Sequence, residues 1–407
     1  MLNLACTLMG FRWSKRFYPV QVKIALLLLS CLAMHAQNHH MGTVLALDTK
    51  EPLEFVSVFN DRDQNLTNVE GRFLFTSHQD SIYFHTPGFV RYASTFAHVK
   101  DTVYLERRVI DLDEVVVTNA KTILQRIKDS IPNNYLLTPS TERFFLRVLL
   151  KRNDSIVRLQ DMFGQLRRKT TIYTGDMELK KKDFEVELLE MRQAGLQKDQ
   201  NNVYFIFPSL YRIITEFLRI NAMGPNFEVV EKPLLHTGQI RVDFSLMPSA
   251  DTLNHSRGHY IINTRDNAIH SFTVEVNQTL PAEQLKKTEY GHTPFLESYV
   301  RYEKDKDQQK YYMKYGKQQA VVVSKTKDQE RPTTFKIEVI WHTTDPLGQL
   351  PVKGNVNEQK DVFKLKIPYN DAYWQSQNQL LLTKEMEDFL LRLNKADTSF
   401  KVRNNMK

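Results

Sequence analysis

The sequence predicts a mainly β protein: an N-terminal seven-stranded Greek-key β-sandwich followed by a larger antiparallel β-rich domain with a few helices. Three observations predict it. From Gly42 to Thr118, short apolar runs alternate with turn residues. Beyond Pro132 the apolar residues recur mostly with the period of strands. Helical spacing interrupts that pattern only near 120–131, 209–222 and 384–394.

The first element, residues 1–36, is read as an export signal rather than as part of the fold. Arg12, Lys15, Arg16 and Lys23 form a basic leader, Ile24 to Leu32 an apolar core, and Ala36 a small residue at a cleavage edge. The apolar run falls short of the roughly 20 residues a membrane-spanning helix needs, so no transmembrane helix is expected in the mature chain. A rival reading takes Leu28-Leu-Ser-Cys31 as a lipoprotein signal acylated at Cys31. The apolar run continues past Cys31 to Met34, which favours ordinary cleavage after Ala36. Both cysteines, Cys6 and Cys31, lie in this segment, so cleavage leaves no thiol for a disulfide, a zinc site or a nucleophile. Removing four basic residues and no acidic one also lowers the formal charge from +8 to +4. The remaining basic runs, Arg167-Arg-Lys169 and Lys180-Lys-Lys182, read as solvated faces, and no nucleic-acid partner is expected.

Residues 37–118 carry the sandwich. Val44, Val56, Val58, Phe73, Phe75, Ile82, Phe84, Val103, Leu105, Val115 and Val117 mostly alternate with polar or smaller neighbours, as half-buried strands do. Gly71 and Gly88 fall where turns require positive φ, and Pro52 and Pro87 fix the chain beside them. Short strands in this number pack as two sheets.

Five segments of this region occur in a recognisable order: Gly42-Thr-Val44, Pro52 to Val58, Asn68 to Phe73, Pro87-Gly-Phe89 and Leu112 to Thr118. They resemble the carboxypeptidase regulatory-like domain, a transthyretin-type Greek-key sandwich found in exported proteins of Gram-negative bacteria. In metallocarboxypeptidases that domain is an accessory one, and the zinc chemistry belongs to a separate domain with a His-x-x-Glu pair. No histidine here has Glu three residues later; His98 and His342 have Asp101 and Asp345 instead, so the resemblance does not imply peptidase activity. Similar sandwiches precede the plug of TonB-dependent receptors, which implies an outer-envelope setting. The remainder of the chain is shorter than such a barrel and ends in polar Lys401 to Lys407, which argues against transport.

The second region is expected over 119–400. Ile123, Leu124, Ile127 and Ile131 share a helical face that Pro132 should stop. Strands are expected at Phe144 to Leu150, Ser155 to Asp161, Val203 to Phe207, Gln239 to Leu246 and Tyr260 to Ile262. They continue at Ala268 to Val276, Tyr299 to Glu303, Tyr311 to Tyr315, Ala320 to Ser324 and Thr334 to Trp341. Leu210, Ile213, Ile214, Phe217 and Leu218 form an apolar helical stripe. Thr383 caps a last helix with Phe389, Leu390 and Leu393 on its buried face. A long antiparallel sheet with few helices must curve and bury one face against them, an arrangement analogous to half-barrel lipid and lipoprotein carriers.

No residue set carries a reaction. His39-His40 are adjacent, and His255 and His259 are four apart in a stretch read as a loop entering a strand, so neither pair is expected to ligate a metal. No phosphate loop, nucleophile elbow or cofactor motif is present, and no cofactor is expected. Asp161, Glu297 and Glu338 are carboxylates that could meet only through the fold. Tyr299, Tyr302, Tyr311, Tyr312 and Tyr315 crowd one hairpin, where cross-strand packing accounts for them better than a sugar-stacking surface. Asp80-Ser-Ile, Asp101-Thr-Val, Asp129-Ser-Ile, Asp154-Ser-Ile and Asp251-Thr-Leu share one pattern. It is the form that some Gram-negative bacteria O-glycosylate, and it is also ordinary turn chemistry. The expected function is a non-enzymatic cell-envelope protein of the periplasm or outer-membrane periphery, binding or scaffolding outer-membrane proteins or envelope glycan or lipid. The alternative is a lipid or lipoprotein carrier with a cavity in the C-terminal domain.

Overall fold

A computed structural model describes residues 38–108, 120–174, 177–195, 207–220, 226–234, 238–249, 251–376 and 380–395. The expected signal segment, Val115, Val117 and all but Phe207 of the strand at 203–207 lie outside them. The protein is mainly β.

Seven strands form the front module. β1 (Asn38–Ala46), β4 (Arg72–Ser77) and β7 (Thr102–Leu105) make one sheet in the order β4-β1-β7. β2 (Ser57–Phe59), β3 (Gln64–Leu66), β5 (Ser81–His85) and β6 (Tyr92–Thr95) make the other, in the order β3-β2-β5-β6. All pairs are antiparallel except β1 with β7. The core between the sheets takes Val44, Phe73, Phe75 and Val103 from one side and Val58, Ile82 and Phe84 from the other. Gly71 has φ +70°, and a Cβ there would lie 2.5 Å from the Val44 carbonyl oxygen, so the turn accepts only glycine.

The second region is one sheet of ten strands: β8 (Ser140–Arg152), β9 (Ser155–Arg168), β10 (Phe184–Gly195), β11 (Phe227–Leu234), β12 (Gln239–Leu246), β13 (Asn254–Asn263), β14 (Ile269–Gln278), β15 (Tyr290–Lys304), β16 (Tyr311–Lys325) and β17 (Thr333–Gly348). Their order is β10-β9-β8-β17-β16-β15-β14-β13-β12-β11, antiparallel throughout. Every neighbour in space is a neighbour in sequence except β17 and β8. Pairing β10 with β11 would close an up-and-down barrel, yet these consecutive strands occupy opposite edges.

The helices are α1 (Ala120–Asn134), α2 (Leu210–Leu218), α3 (Ala282–Leu285), α4 (Asp371–Ser376) and α5 (Lys384–Lys395). One face of the sheet, here called inner, wraps α1 and α2. Ile123, Ile127 and Ile131 of α1 and Leu210, Ile213, Ile214, Phe217 and Leu218 of α2 are buried in a single core with Leu146, Phe272, Val300 and Trp341 of the sheet. Each such side chain contributes roughly 1.5–3 kcal/mol on burial. Phe144 stacks on Trp341 at 4.2 Å between centroids. Gly316 lets α2 approach: a Cβ there would stand 2.7 Å from the Phe217 ring.

The outer face is covered over part of its width. Trp374 and Leu380 of the C-terminal segment join Phe55 and Leu66 of the sandwich over Phe145, Tyr315 and Ile340. Met386 and Phe389 of α5 cover Leu149, Leu159 and Ala194. Arg72 reaches Glu387 at 3.3 Å, and Asn68 Nδ2 donates to the Leu382 carbonyl, tying the sandwich to this segment. Residues 353–355 run along the β10 edge. There the Asn355 N–H donates to the Val186 carbonyl, and the Asn355 side chain accepts from Leu188 N–H at 2.9 Å and donates to the Leu188 carbonyl at 2.8 Å.

Several elements differ from expectation for identifiable reasons. α1 continues past Pro132 to Asn134, and Lys310 Nζ donates to the freed Pro132 and Asn133 carbonyls. α2 ends at Leu218, short of 222, because Tyr173 draws the chain into an isolated bridge, donating to Leu218 O and accepting from Ile220 N–H. The strands expected at 311–315 and 320–324 are one strand, since Gly316 serves helix packing rather than a turn. Asn254 to Gly258 is strand, not loop. β10 and β11 have no counterpart in the expectation. β10 carries the helix formers Glu185-Val-Glu-Leu-Leu-Glu-Met191, and a bulge between Leu188 and Glu190 breaks its alternation. Within the basic run at 167–169, Arg168 is buried rather than solvated, paired with Glu142 at 2.5 Å.

Candidate functional site

Registers carried from strand to strand align the outer face into rows. One row begins Val230, Asp243, His259, Thr273, Tyr299 and Lys317. It continues through Ile340, Arg147, Asp161 and Arg192 to the β10 edge. The neighbouring row, two residues away along each strand, holds Glu228, Ser245, Arg257, Glu275, Glu297, Gln319 and Glu338. Alternation puts both rows on the same face.

The two ends of the first row differ in cover. Under the C-terminal segment, Asp161 accepts from Arg147 Nε at 2.8 Å and Arg192 Nε at 2.8 Å. Arg147 also donates to the Leu380 and Leu381 carbonyls, both at 2.8 Å. Arg192 lies over the Trp374 ring at 4.7 Å. This is a clasp: fixed guanidinium donors hold a strand-less stretch of backbone on the sheet. Burial pushes the Asp161 carboxyl up, but the two arginines outweigh it and hold it below the ordinary aspartate value.

At the other end the row is open and forms a trough. One cavity, of about 410 Å³, has a floor of Thr273, Glu297, Tyr299, Tyr315, Lys317 and Gln319 and a roof of Glu54, Phe55, Thr86 and Pro87 from the sandwich. A second, of about 590 Å³, runs over β11 to β14 and includes Asp243, Arg257, His259 and Glu275. Thr273 lines both, so they meet on β14.

The roof is held under strain. Phe55 has φ +58°, in the left-handed region that a bulky side chain rarely adopts. It is kept there by its ring packing 4.6 Å from Tyr315 and by Lys317 lying 5.6 Å from its centroid. Lys317 Nζ also donates to both Glu54 oxygens at 2.8 Å. Burial raises the Glu54 carboxyl despite that lysine. In the open part, Asp243 accepts from Lys232 and Arg241, both at 2.7 Å, and Arg257 pairs with Glu275 at 2.9 Å. Burial and the nearby Arg241 lower the His259 imidazole, which favours the neutral ring.

The residues weighed from sequence separate in the fold. His39 contacts Thr76 Oγ1 and His40 the Lys100 carbonyl, on opposite faces of β1. His255 and His259 share the outer face of β13 but stand about 13 Å apart at strand spacing. Among the described residues no group of three or more His, Cys, Asp or Glu is arranged to hold a metal. Asp161 lies under the clasp, whereas Glu297 and Glu338 stand in the second row on either side of Gln319. Gln319 Nε2 donates to Glu338 at 2.8 Å. Of the tyrosines, Tyr302, Tyr311, Tyr312 and Tyr315 are buried, and Tyr299 is half-buried and lines the trough. Ser81, Thr102 and Ser155 each open a strand, Asp251 accepts from Leu253 and Asn254 N–H, and Ser130 bonds the Ile127 carbonyl inside α1. All but Ser130, which lies inside α1, match turn and strand-start chemistry. The trough itself was missed, because it is a product of register.

No family model matches the chain, and no curated protein matches it.

Proposed function

We propose that this chain is a non-enzymatic protein of the cell envelope that binds an extended ligand in the outer-face trough, with the sandwich as its roof. The observation that carries the reading is the meeting of the two cavities at Thr273. Open concave surfaces with a few convergent polar groups are the usual form of binding sites. The export signal and the likeness of the front module to carboxypeptidase regulatory-like domains support an envelope setting, in the periplasm or at the outer-membrane periphery. Carriage of a lipid or lipoprotein is less favoured. It needs an apolar cavity, and α1 and α2 occupy the inner face with side chains packed against the sheet.

The test is thermal unfolding of the full chain with three ligand classes: purified oligosaccharides, extended peptides and phospholipid vesicles. One class should raise the melting temperature, and Thr273→Trp, which fills the junction of the cavities, should abolish the rise. Tyr104→Ala, on the exposed side of β7, should leave it unchanged. A ligand that stabilises the wild type and Thr273→Trp equally binds elsewhere and overturns the reading.

A further inference from the structure

We infer that the ligand of the trough is a linear, uncharged glycan; the inference rests on the trough being the binding site. The charges of the lining exclude anionic ligands, since Glu54, Glu228, Asp243, Glu275 and Glu297 outnumber Arg241, Arg257 and Lys317. Asp243 is neutralised by Lys232 and Arg241, Glu275 by Arg257, and Lys317 by Glu54. Each cation lining the trough already has a carboxylate, so no uncompensated positive field draws a phosphate, a sulfate or an anionic headgroup. Charged side chains along both rows also break up the apolar surface of the lining, which suits an acyl chain poorly. The apolar side chains of the lining are Val230 at one end, Phe55 and Pro87 at the roof, and the rings of Tyr299 and Tyr315 in the floor.

A peptide fits less well than a sugar. An extended peptide exposes an N–H and a C=O at nearly every residue, and sites that recognise it usually offer a matching strand edge. The floor here is the face of a sheet, whose own N–H and C=O groups are spent in its ladders. What projects instead is a set of carboxylates, amides, hydroxyls and an imidazole, repeated at the strand spacing of about 4.8 Å. Such groups both donate to and accept from hydroxyls. The Glu297 side chain, at the centre, makes no hydrogen bond or ion pair with another described residue and has its acceptors available. Tyr299, beside Thr273 and half-buried, supplies an aromatic wall for the C–H face of a sugar ring. The trough crosses six strands, a run of about 24 Å, which suits several sugars in line.

The experiment is calorimetric titration of the full chain with neutral linear glucan, mannan and xylan oligosaccharides of increasing length. A polyuronate oligosaccharide, an extended neutral peptide and anionic phospholipid vesicles serve as the other arms. At least one neutral series should bind, with affinity rising with length until the trough is filled and then levelling. Added salt should leave that affinity nearly unchanged. Tyr299→Ala should weaken it about tenfold, and Tyr299→Phe, which keeps the ring, should restore most of the loss. Circular dichroism of each variant checks that it is folded. If the polyuronate, peptide or vesicles bind, no neutral series does, and Thr273→Trp blocks that binding, the glycan inference fails while the trough reading stands. If binding of every kind survives Thr273→Trp, both fail. Absence of binding by all neutral series also overturns the inference.

Discussion

Asp161 and Asp243 stand on one row of one sheet, each held by two cations, and they do different work. Asp161 is 0% exposed, with Arg147 and Arg192 around it and the backbone of Leu380 and Leu381 above. Asp243 keeps a quarter of its side-chain surface in water beside Lys232 and Arg241. The chemistry of the two clusters is nearly the same, and the cover is not. Under cover, losing one member strands charges in a place water cannot reach. In the open, water takes up the loss. Burial therefore decides whether three charges act as a structural clasp or remain a solvated cluster.

The comparison can be broken at its strong end first. Asp161→Ala should cost about 3–5 kcal/mol in denaturant unfolding, because two buried guanidiniums lose their counter-charge. Hydrogen exchange should show the chain from Leu380 onward opening first. If Asp161→Ala costs no more than Asp243→Ala, cover is not what separates the two sites.

Acid should sharpen the same contrast. The Asp161 carboxyl is depressed below its ordinary 3.8. Its contribution is therefore present above the unfolded value and is lost as pH falls through the folded one. Glu142 has the opposite sign. Burial, only partly offset by Arg168, raises it from 4.5 to about 7, so ionisation of the unfolded chain erodes stability as pH climbs across that interval. Unfolding free energies measured from acid to neutral pH should thus rise first with Asp161. Glu142→Gln should flatten the slope between 4.5 and about 7.

A smaller effect probes the inner face. Gly316→Ala should destabilise by roughly 1–3 kcal/mol, since the new methyl meets the Phe217 ring rather than a flexible chain end. Smallest of all, Asp243→Ala should cost under about 1 kcal/mol, an amount that shrinks further in salt, read from denaturant midpoints at two ionic strengths. A cost near that of Asp161→Ala would mean that the open end of the row is structural as well.

Local features of the fold were legible in the sequence. Alternation marked Val44, Phe73, Phe75, Ile82 and Phe84 as core, and all are buried. Glycine chemistry marked the turns at Gly71 and Gly88, both at positive φ. The hydroxyl at Thr383 caps the last helix by accepting from Met386 N–H. What escaped are relations between distant segments. Pairing of β17 with β8 joins residues such as Phe335 and Arg152, which no local pattern links. Gly316 lies in the gap left between the strands expected at 311–315 and 320–324, and its reason lies on α2, a hundred residues earlier in the chain. The trough is illegible for the same cause: Glu54, Thr273, Tyr299 and Lys317 are unremarkable apart, and only register and docking bring them to one surface.

The Asn355 amide on β10 has a consequence for the company this protein keeps. An open sheet of ten strands offers two ends to other copies, and joining unlike ends would propagate without limit into filaments. At the β10 end, Leu188 has already spent both its backbone groups on Asn355. At the β11 end, Pro233 interrupts the donors, and Glu231 and Lys232 bring charge. The two ends are refused to newcomers by different means, one by occupancy and one by composition. A single substitution can open only one of them, so a mutant that loses Asn355 should at most pair with itself rather than grow.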